Sequence, residues 1–193
     1  MDIIKVEKRD TRAKAKQLRR AGIIPCCVYG GALTDALSIQ MDQKSAEQLQ
    51  RTLREGSKVR LELDGKPLTV QIKELKADII SHQIEHIQFQ ALSANQKVNS
   101  VAHILLKNAE LVPGVLEQML FEVPFASLPK DMIDTVTVDL ENKPIGTVIT
   151  VADIPEFTSD AVELQVEPDS VVLRIADKQN APVEEDGGEG ASV

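Results

Sequence analysis

The sequence predicts a mainly β protein with a few short helices, organised as two units. Short apolar runs that alternate with polar residues and end at Gly or Pro are typical of strands. One pair of such runs flanks Asp64-Gly65, which is the signature of a β-hairpin. The charge also divides the chain, because residues 1–92 hold 16 Lys+Arg and 12 Asp+Glu (net +4), whereas residues 93–193 hold 6 and 18 (net −12).

The first predicted elements are a helix and a strand. Residues 12–22 are rich in Arg, Ala and Lys and predict a short helix that ends at Gly22. Pro25 favours extended backbone at the preceding residue, Ile24. A strand should therefore follow the helix and end at the Gly30-Gly31 turn.

A second strand and a second helix come next. Leu37, Ile39 and Met41 alternate as in a strand, and Asp42 is a suitable N-cap for a helix over residues 43–54. The inward face of this helix is expected to carry Ala46, Leu49, Gln50 and Leu53, with Gly56 at its C-terminal stop.

The hairpin and one further strand complete the first unit. Apolar residues alternate on both sides of the Asp64-Gly65 turn, at Val59, Leu61 and Leu63 before it and at Leu68, Val70 and Ile72 after it. Residues 84–89 form another strand, in which Ile87 and Phe89 share one face while His86 and Gln88 share the other. His86 and Gln88 should therefore face outward.

The second unit should also be β-rich. The first unit is expected to span residues 1–92, and a polar linker at 93–97 leads to short strand-like runs separated by prolines over residues 98–177. One short helix is expected near 114–120. Residues 178–193 are acidic and contain little to bury, so they predict a disordered tail.

The N-terminal basic run indicates a polyanion partner. Residues 5–20 contain eight basic and two acidic groups, so ion pairs within a helix cannot neutralise them. The acidic remainder does not prevent binding, because charges beyond ~8–10 Å are screened. A solvated helix face is the alternative interpretation. Aromatic residues make up 3% of the chain, which argues against binding by stacked bases.

No catalytic or metal-binding pattern stands out. The sequence contains no G-x-S-x-G, P-loop or G-x-G-x-x-G motif, so we expect neither an enzyme nor a bound cofactor. Cys26 and Cys27 are adjacent, which disfavours a disulfide and indicates reduced, buried thiols. His82 and His86 are four apart but lie in a strand pattern, and His103 is expected at the core or its edge. Without a long apolar run or a signal peptide, the chain is expected in the cytoplasm.

Three segments together resemble a known family. They are LRRAGIIPCCVYGG (18–31), RLELDGKPLTVQIKEL (60–75) and IEHIQFQAL (84–92). They are similar to motifs of the bacterial 5S-rRNA-binding protein of the large ribosomal subunit, ribosomal protein number twenty-five. Residues 113–154 resemble the C-terminal β domain of its long form, the general stress protein CTC.

The resemblance implies a six-stranded, barrel-like N-terminal domain that binds the internal loop (loop E) of 5S rRNA through a widened minor groove. Partners would be 5S rRNA and other large-subunit proteins, with no membrane or small-molecule substrate, and the protein would be monomeric off the ribosome. The implied RNA contacts are phosphate binding by Arg9, Arg12, Lys14, Lys16 and Arg19, a packing or hydrogen-bonding role for Tyr29, and sheet-surface contacts by Lys73, His86 and Gln88, with Lys73 beside the last two.

This sequence departs from the family pattern at several of these positions. Residues 11–14 replace a glycine-containing turn, Gln17 replaces an Arg, and Lys76 replaces a Gln. Gln88 replaces an acidic residue, and Gln88→Asp is expected to sharpen RNA recognition because a carboxylate accepts from guanine amino groups. The alternative function is a ribosome-independent stress protein of the same fold with weakened RNA binding.

Overall fold

The computed structural model describes residues 3–159 and 161–177, and this part of the chain is mainly β, as predicted. The predicted tail, 178–193, lies outside the described residues. Six strands and two helices make up the first unit. They are β1 (Ile3–Lys8), α1 (Ala15–Arg20), β2 (Ile23–Tyr29), β3 (Leu37–Asp42), α2 (Gln43–Thr52), β4 (Lys58–Leu63), β5 (Lys66–Ala77) and β6 (Ile84–Ala91).

The six strands close into a barrel in the order β1-β3-β2-β6-β5-β4. β1 pairs antiparallel with β3 and parallel with β4, and this second pairing closes the ring. Because side chains alternate along a strand, one side of each strand fills the interior. The residues with no exposed surface there include Val28, Ile39, Leu61, Ile72, Ile87 and Phe89. The barrel implied by the resemblance is confirmed.

Both helices of the first unit are shorter than the sequence suggests. α1 begins only at Ala15, because residues 11–13 form a turn. The N-cap role of Asp42 is confirmed, since its Oδ1 accepts a hydrogen bond from the backbone N–H of Ser45 at 2.9 Å. Leu49 is buried in the core, but Gln50 is exposed, so its placement on the inward face was wrong. Gln50 follows the buried Leu49 by one residue, which turns it roughly 100° around the helix to the edge of the apolar stripe.

The β4–β5 hairpin forms as predicted and contains a distortion that the sequence does not show. Asp64 (φ 50°) and Gly65 (φ 75°) both occupy the left-handed region, as a two-residue hairpin turn requires. Farther along β5, the pairing with β6 shifts between Ile72 and Glu74, so Lys73 is an extra residue in a β-bulge. The bulge sets which β5 side chains face outward beyond it.

The described part of the second unit contains seven strands in two sheets. A four-stranded sheet has the order β10-β7-β9-β12, and a three-stranded sheet has the order β11-β13-β8. A separate apolar core lies between them. In the described ranges, no helix is long and apolar enough to cross a membrane. The strands are β7 (Val98–Lys107), β8 (Val115–Gln118), β9 (Glu122–Ser127), β10 (Thr135–Asp139), β11 (Val148–Thr150), β12 (Val162–Leu164) and β13 (Val171–Ala176).

The helix predicted near residues 114–120 is absent, because this segment forms β8 and pairs antiparallel with β13. A Cβ atom on Gly114 would lie 2.2 Å from the Ala176 carbonyl oxygen, so glycine is needed for the close approach of the chain here. Arg174 and Glu117 form an ion pair across the two strands at 2.8 Å. Long-range pairing thus decides the conformation of this segment.

Polar contacts join the two units along the β4 side of the barrel. His103 is 8% exposed and lies at this seam, with Nε2 2.9 Å from the Glu55 carbonyl oxygen, in agreement with the predicted core or edge position. Among the described residues, four further hydrogen bonds cross the seam, from Lys58 Nζ to Pro129 O (2.8 Å), from Ser100 Oγ to Gly56 O (3.1 Å), from Gln71 Nε2 to Asn99 O (3.2 Å) and from Lys73 Nζ to Asn99 O (3.3 Å).

Candidate nucleic-acid interface

One outer wall of the barrel carries a continuous strip of polar side chains. Strand register brings Gln88 opposite both Cys27 and Glu74, and places His86 opposite Lys76. Tyr29 lies opposite Gln90 in the next row. We call this surface the polar strip, and it consists of Cys27 and Tyr29 on β2, His86, Gln88 and Gln90 on β6, and Glu74 and Lys76 on β5.

His86 is held in a fixed orientation within the polar strip. Its Nδ1 lies 2.7 Å from the Pro25 carbonyl oxygen, and its Nε2 lies 3.6 Å from Cys27 Sγ. Because a carbonyl oxygen can only accept, Nδ1–H is the donor, and the thiol can donate to Nε2. His86 is half-buried and lies on the outer face, while Ile87 and Phe89 fill the core, so the predicted alternation along this strand is confirmed.

Glu74 makes the polar strip less positive than the sequence suggests. Gln88 Nε2 donates to the Glu74 carboxylate, so the amide is already engaged. Burial raises the pKa of the Cys27 thiol, and the charge of Glu74 raises it further. The pKa of Tyr29 is raised by burial, and Cys27 and Glu74 add to the shift. At neutral pH the charges of Lys76 and Glu74 offset each other within the strip, so a net positive charge must come from elsewhere.

The positive charge comes from α1 and the turn that precedes it. Leu18 anchors the helix to the barrel, and it is buried while Lys14, Lys16 and Arg20 are exposed. Arg19 behaves differently: it is half-buried, with Nη1 3.4 Å from the Glu85 carbonyl oxygen and Nη2 3.8 Å from the Glu85 carboxylate. Arg19 is thus partly neutralised.

The preceding turn contributes two more of the predicted phosphate ligands. Arg12 is exposed, and its backbone N–H donates to Asp10 Oδ1 at 2.9 Å. Arg9 is half-buried with Nη2 3.5 Å from the Ala13 carbonyl oxygen, and its Nε is buried without a partner among the described residues. Arg12 is free to reach a phosphate, whereas Arg9 mainly supports the turn.

A cleft of about 430 Å³ separates α1 from the connection between β5 and β6. Lys16, Arg19 and Arg20 line one side of this cleft. Asp78, Ser81 and Glu85 are among the residues on the other side. The end of the polar strip nearest to this connection therefore borders on cations.

The resemblance implied that Lys73 lies beside His86 and Gln88, but the structure places it elsewhere. It is the extra residue of the β5 bulge, and its Nζ lies 3.3 Å from the Asn99 carbonyl oxygen in the second unit. Lys76 takes the place opposite His86. The sequence showed neither this exchange nor the acidic contribution of Glu74, because both depend on the bulge.

No metal centre accompanies this surface. In residues 3–159 and 161–177, no group of three or more His, Cys, Asp or Glu side chains is arranged to hold a metal ion. Burial raises the pKa of the Cys26 thiol to about 12, so it behaves as a core residue. Cys27 is half-buried rather than buried.

The position of Glu74 changes the expected effect of Gln88→Asp. The substitution would remove the Gln88–Glu74 hydrogen bond and put two carboxylates directly opposite each other. We expect a loss of about 1 kcal/mol in unfolding free energy at pH 7. The repulsion raises the pKa of the pair in the folded state, so the loss should shrink as pH falls towards 5.

Chemical unfolding at pH 7 and pH 5 measures this effect. Gln90→Asp is the matched control, because residue 90 is on the same strand and face but lies opposite Tyr29 and Gln71 rather than an acid. Equal, pH-independent losses in both variants would contradict the proposed repulsion.

Comparison with known proteins agrees with both units of the fold. Residues 4–89 match the family model described as "Ribosomal L25p family", and residues 97–179 match "Ribosomal protein TL5, C-terminal domain". These two matches account for most of the chain.

Relatives in several bacteria are similar over most of the chain. The chain is 29% identical to "Large ribosomal subunit protein bL25" of Bacillus pumilus, over 98% of this chain and 92% of the relative. For the protein of the same name in Enterococcus faecalis the identity is 28%, over 95% of this chain and 92% of the relative. For the protein of the same name in Methylobacillus flagellatus the identity is 31%, over 78% of this chain and 77% of the relative. The expectation of a non-enzymatic protein is confirmed, because this is a family of ribosomal structural proteins. The chain belongs to the bL25 family of bacterial large-subunit ribosomal proteins, in its long form.

Proposed function

We propose that this large-subunit ribosomal protein binds 5S rRNA at its internal loop, with the polar strip and α1 forming the contact. One observation carries the proposal: the polar strip on the outer faces of β2, β6 and β5 is bordered at one end by exposed cations. The opposite sides of the same strands fill the core, so this wall is available to a partner.

The chemistry of the wall suits RNA. The minor groove of an RNA helix is wide and shallow and presents hydroxyl groups and base edges, which neutral amide, imidazole and phenol groups can bind. The exposed Lys14, Lys16 and Arg20 would bind phosphates, with Arg12 beside them. The polar strip would then contact the groove, and α1 would fix the position of the backbone.

We further propose that the protein acts on the ribosome in the cytoplasm and is monomeric off it. The closed barrel supports this, since none of its six strands leaves an open edge for pairing with a second copy. Residues 1–92 and 98–177 are proposed as the two domains.

A titration of the full chain with transcribed 5S rRNA tests the proposal. If about five phosphates are engaged, a plot of log K against log salt should have a slope of roughly −3.5 to −4.5. A 5S rRNA in which the internal loop is replaced by Watson–Crick pairs is the control and should bind more weakly. Equal binding of both RNAs would refute loop recognition, and a slope near zero would exclude the basic helix.

The alternative, a stress protein of the same fold with weakened RNA binding, is favoured by one feature. Two of the predicted contacts already have acidic partners, since Arg19 pairs with Glu85 and Gln88 with Glu74. This candidate predicts weak retention of 5S rRNA and absence from purified large subunits.

A further inference from the structure

The connection between β5 and β6 exposes two adjacent isoleucines at its tip. Ile79 is 89% exposed and Ile80 is 92% exposed, whereas the next most exposed large apolar side chain among the described residues is Phe121 at 65%. Such apolar surface in water carries a cost in free energy that nothing within the described chain offsets. The tip is therefore a candidate contact surface.

The tip is held in a defined conformation by its own hydrogen bonds. Asp78 Oδ1 accepts from the backbone N–H of Ile80 at 3.1 Å, from that of Ser81 at 2.7 Å, and from Ser81 Oγ at 2.9 Å. The backbone N–H of His82 donates to the Asp78 carbonyl oxygen at 2.9 Å, and His82 adopts φ 55°. The hydrogen bonds from Ser81 and Ile80 to the carboxylate lower the pKa of Asp78, which stays ionised at neutral pH. The two isoleucines are thus presented by an ordered turn.

The charges next to the tip favour a nucleic acid over a protein. The cleft beside it is lined by Lys16, Arg19 and Arg20, and the ion pairs among the described residues include neither Lys16 nor Arg20. The acidic residues of the cleft are already engaged, Glu85 by Arg19 and Asp78 by its own turn. Two cations without an ion-pair partner in the described ranges can bind phosphates, and the apolar tip beside them can pack against exposed bases. This combination suits a nucleic acid.

The tip also continues the polar strip. β6 begins at Ile84, four residues after Ile80, and carries His86 of the polar strip two residues later. An RNA lying on the strip and reaching α1 would therefore pass the tip. Apolar wedges that pack against base steps are known from proteins that bind nucleic-acid grooves.

We propose that Ile79 and Ile80 form an apolar wedge that packs against nucleobases of the bound RNA, while Lys16 and Arg20 hold the phosphates beside them. The inference rests on the proposed 5S rRNA binding and adds a contact that does not depend on charge.

The salt dependence of RNA affinity distinguishes the contribution of the wedge from that of the cations. In the full chain, Ile79→Ser/Ile80→Ser should weaken binding to transcribed 5S rRNA by about 10- to 100-fold with an unchanged salt slope, because no counterions are involved. Lys16→Ala/Arg20→Ala should reduce the magnitude of the slope by roughly 1.4–1.8. Leu111→Ser, at a 63% exposed residue of the second unit, is the matched control and should bind as the wild type does. Thermal unfolding verifies that each variant is folded.

Each outcome has a distinct meaning. If the wild type binds 5S rRNA and the double isoleucine variant binds equally well, the wedge is refuted while the proposed function stands. If that variant binds free RNA normally but enters large subunits poorly, the tip contacts a ribosomal protein and the RNA assignment is overturned. If the wild type itself does not bind 5S rRNA, the proposed function fails and the wedge fails with it.

Discussion

Reversing the charge at two positions of α1, with Lys16→Glu/Arg20→Glu, should lower the affinity for 5S rRNA by more than about 100-fold. Loss of two charge-assisted phosphate contacts costs about 3–6 kcal/mol, and the new carboxylates add repulsion. Both side chains are exposed, and Leu18 alone on this helix is buried, so the fold should persist. Competition titrations at fixed ionic strength measure the change.

A second charge reversal distinguishes the effect of the cations on α1 from the effect of the net charge of the protein. Arg60→Glu/Lys66→Glu changes the net charge by the same amount, but β4 lies three strands from β2 in the ring of six. Both residues are exposed, Arg60 on β4 and Lys66 at the first position of β5, ten residues before Lys76 of the polar strip. This control should bind within about threefold of the wild type, because distant exposed charges are screened. Equal losses in the two double variants would mean that net charge, rather than α1, governs binding.

The elements that the sequence revealed are those with local signals. The β4–β5 hairpin has its turn residues and alternation within a few positions, and Asp42 caps α2 from three residues before Ser45. Strand alternation likewise placed His86 and Gln88 on the outer face, because a period of two needs no knowledge of the partner strand.

The elements that the sequence did not reveal depend on distant partners. β1 was not predicted, since it is stabilised by parallel pairing with β4, more than fifty residues later. The sequence predicts a helix where β8 forms, because the pairing of β8 with β13 leaves no local signal. The bulge that turns Lys73 away from the polar strip exists only relative to β6, and the partner of Arg19, Glu85, is 66 residues away.

Residues 1–92 alone should bind 5S rRNA, and residues 93–193 alone should not. The barrel closes on itself and has its own core, so the first fragment should fold without the second. Within residues 3–159 and 161–177, none of the hydrogen bonds that cross the seam involves α1 or a residue of the polar strip. Removing the second unit therefore leaves the proposed contact intact.

The unequal net charges predict that the RNA affinities of the fragment and the full chain depend differently on salt. The first fragment carries a net charge of +4 and the full chain −8. At low salt, where the Debye length approaches ~30 Å, the acidic second unit repels the RNA and the fragment should bind more tightly than the full chain. Near physiological salt, where the Debye length is ~8 Å, the affinities of the fragment and the full chain should converge to within about threefold. Binding by the second fragment, or loss of binding by a folded first fragment, would place the RNA contact across both units and require the C-terminal sheets to form part of it.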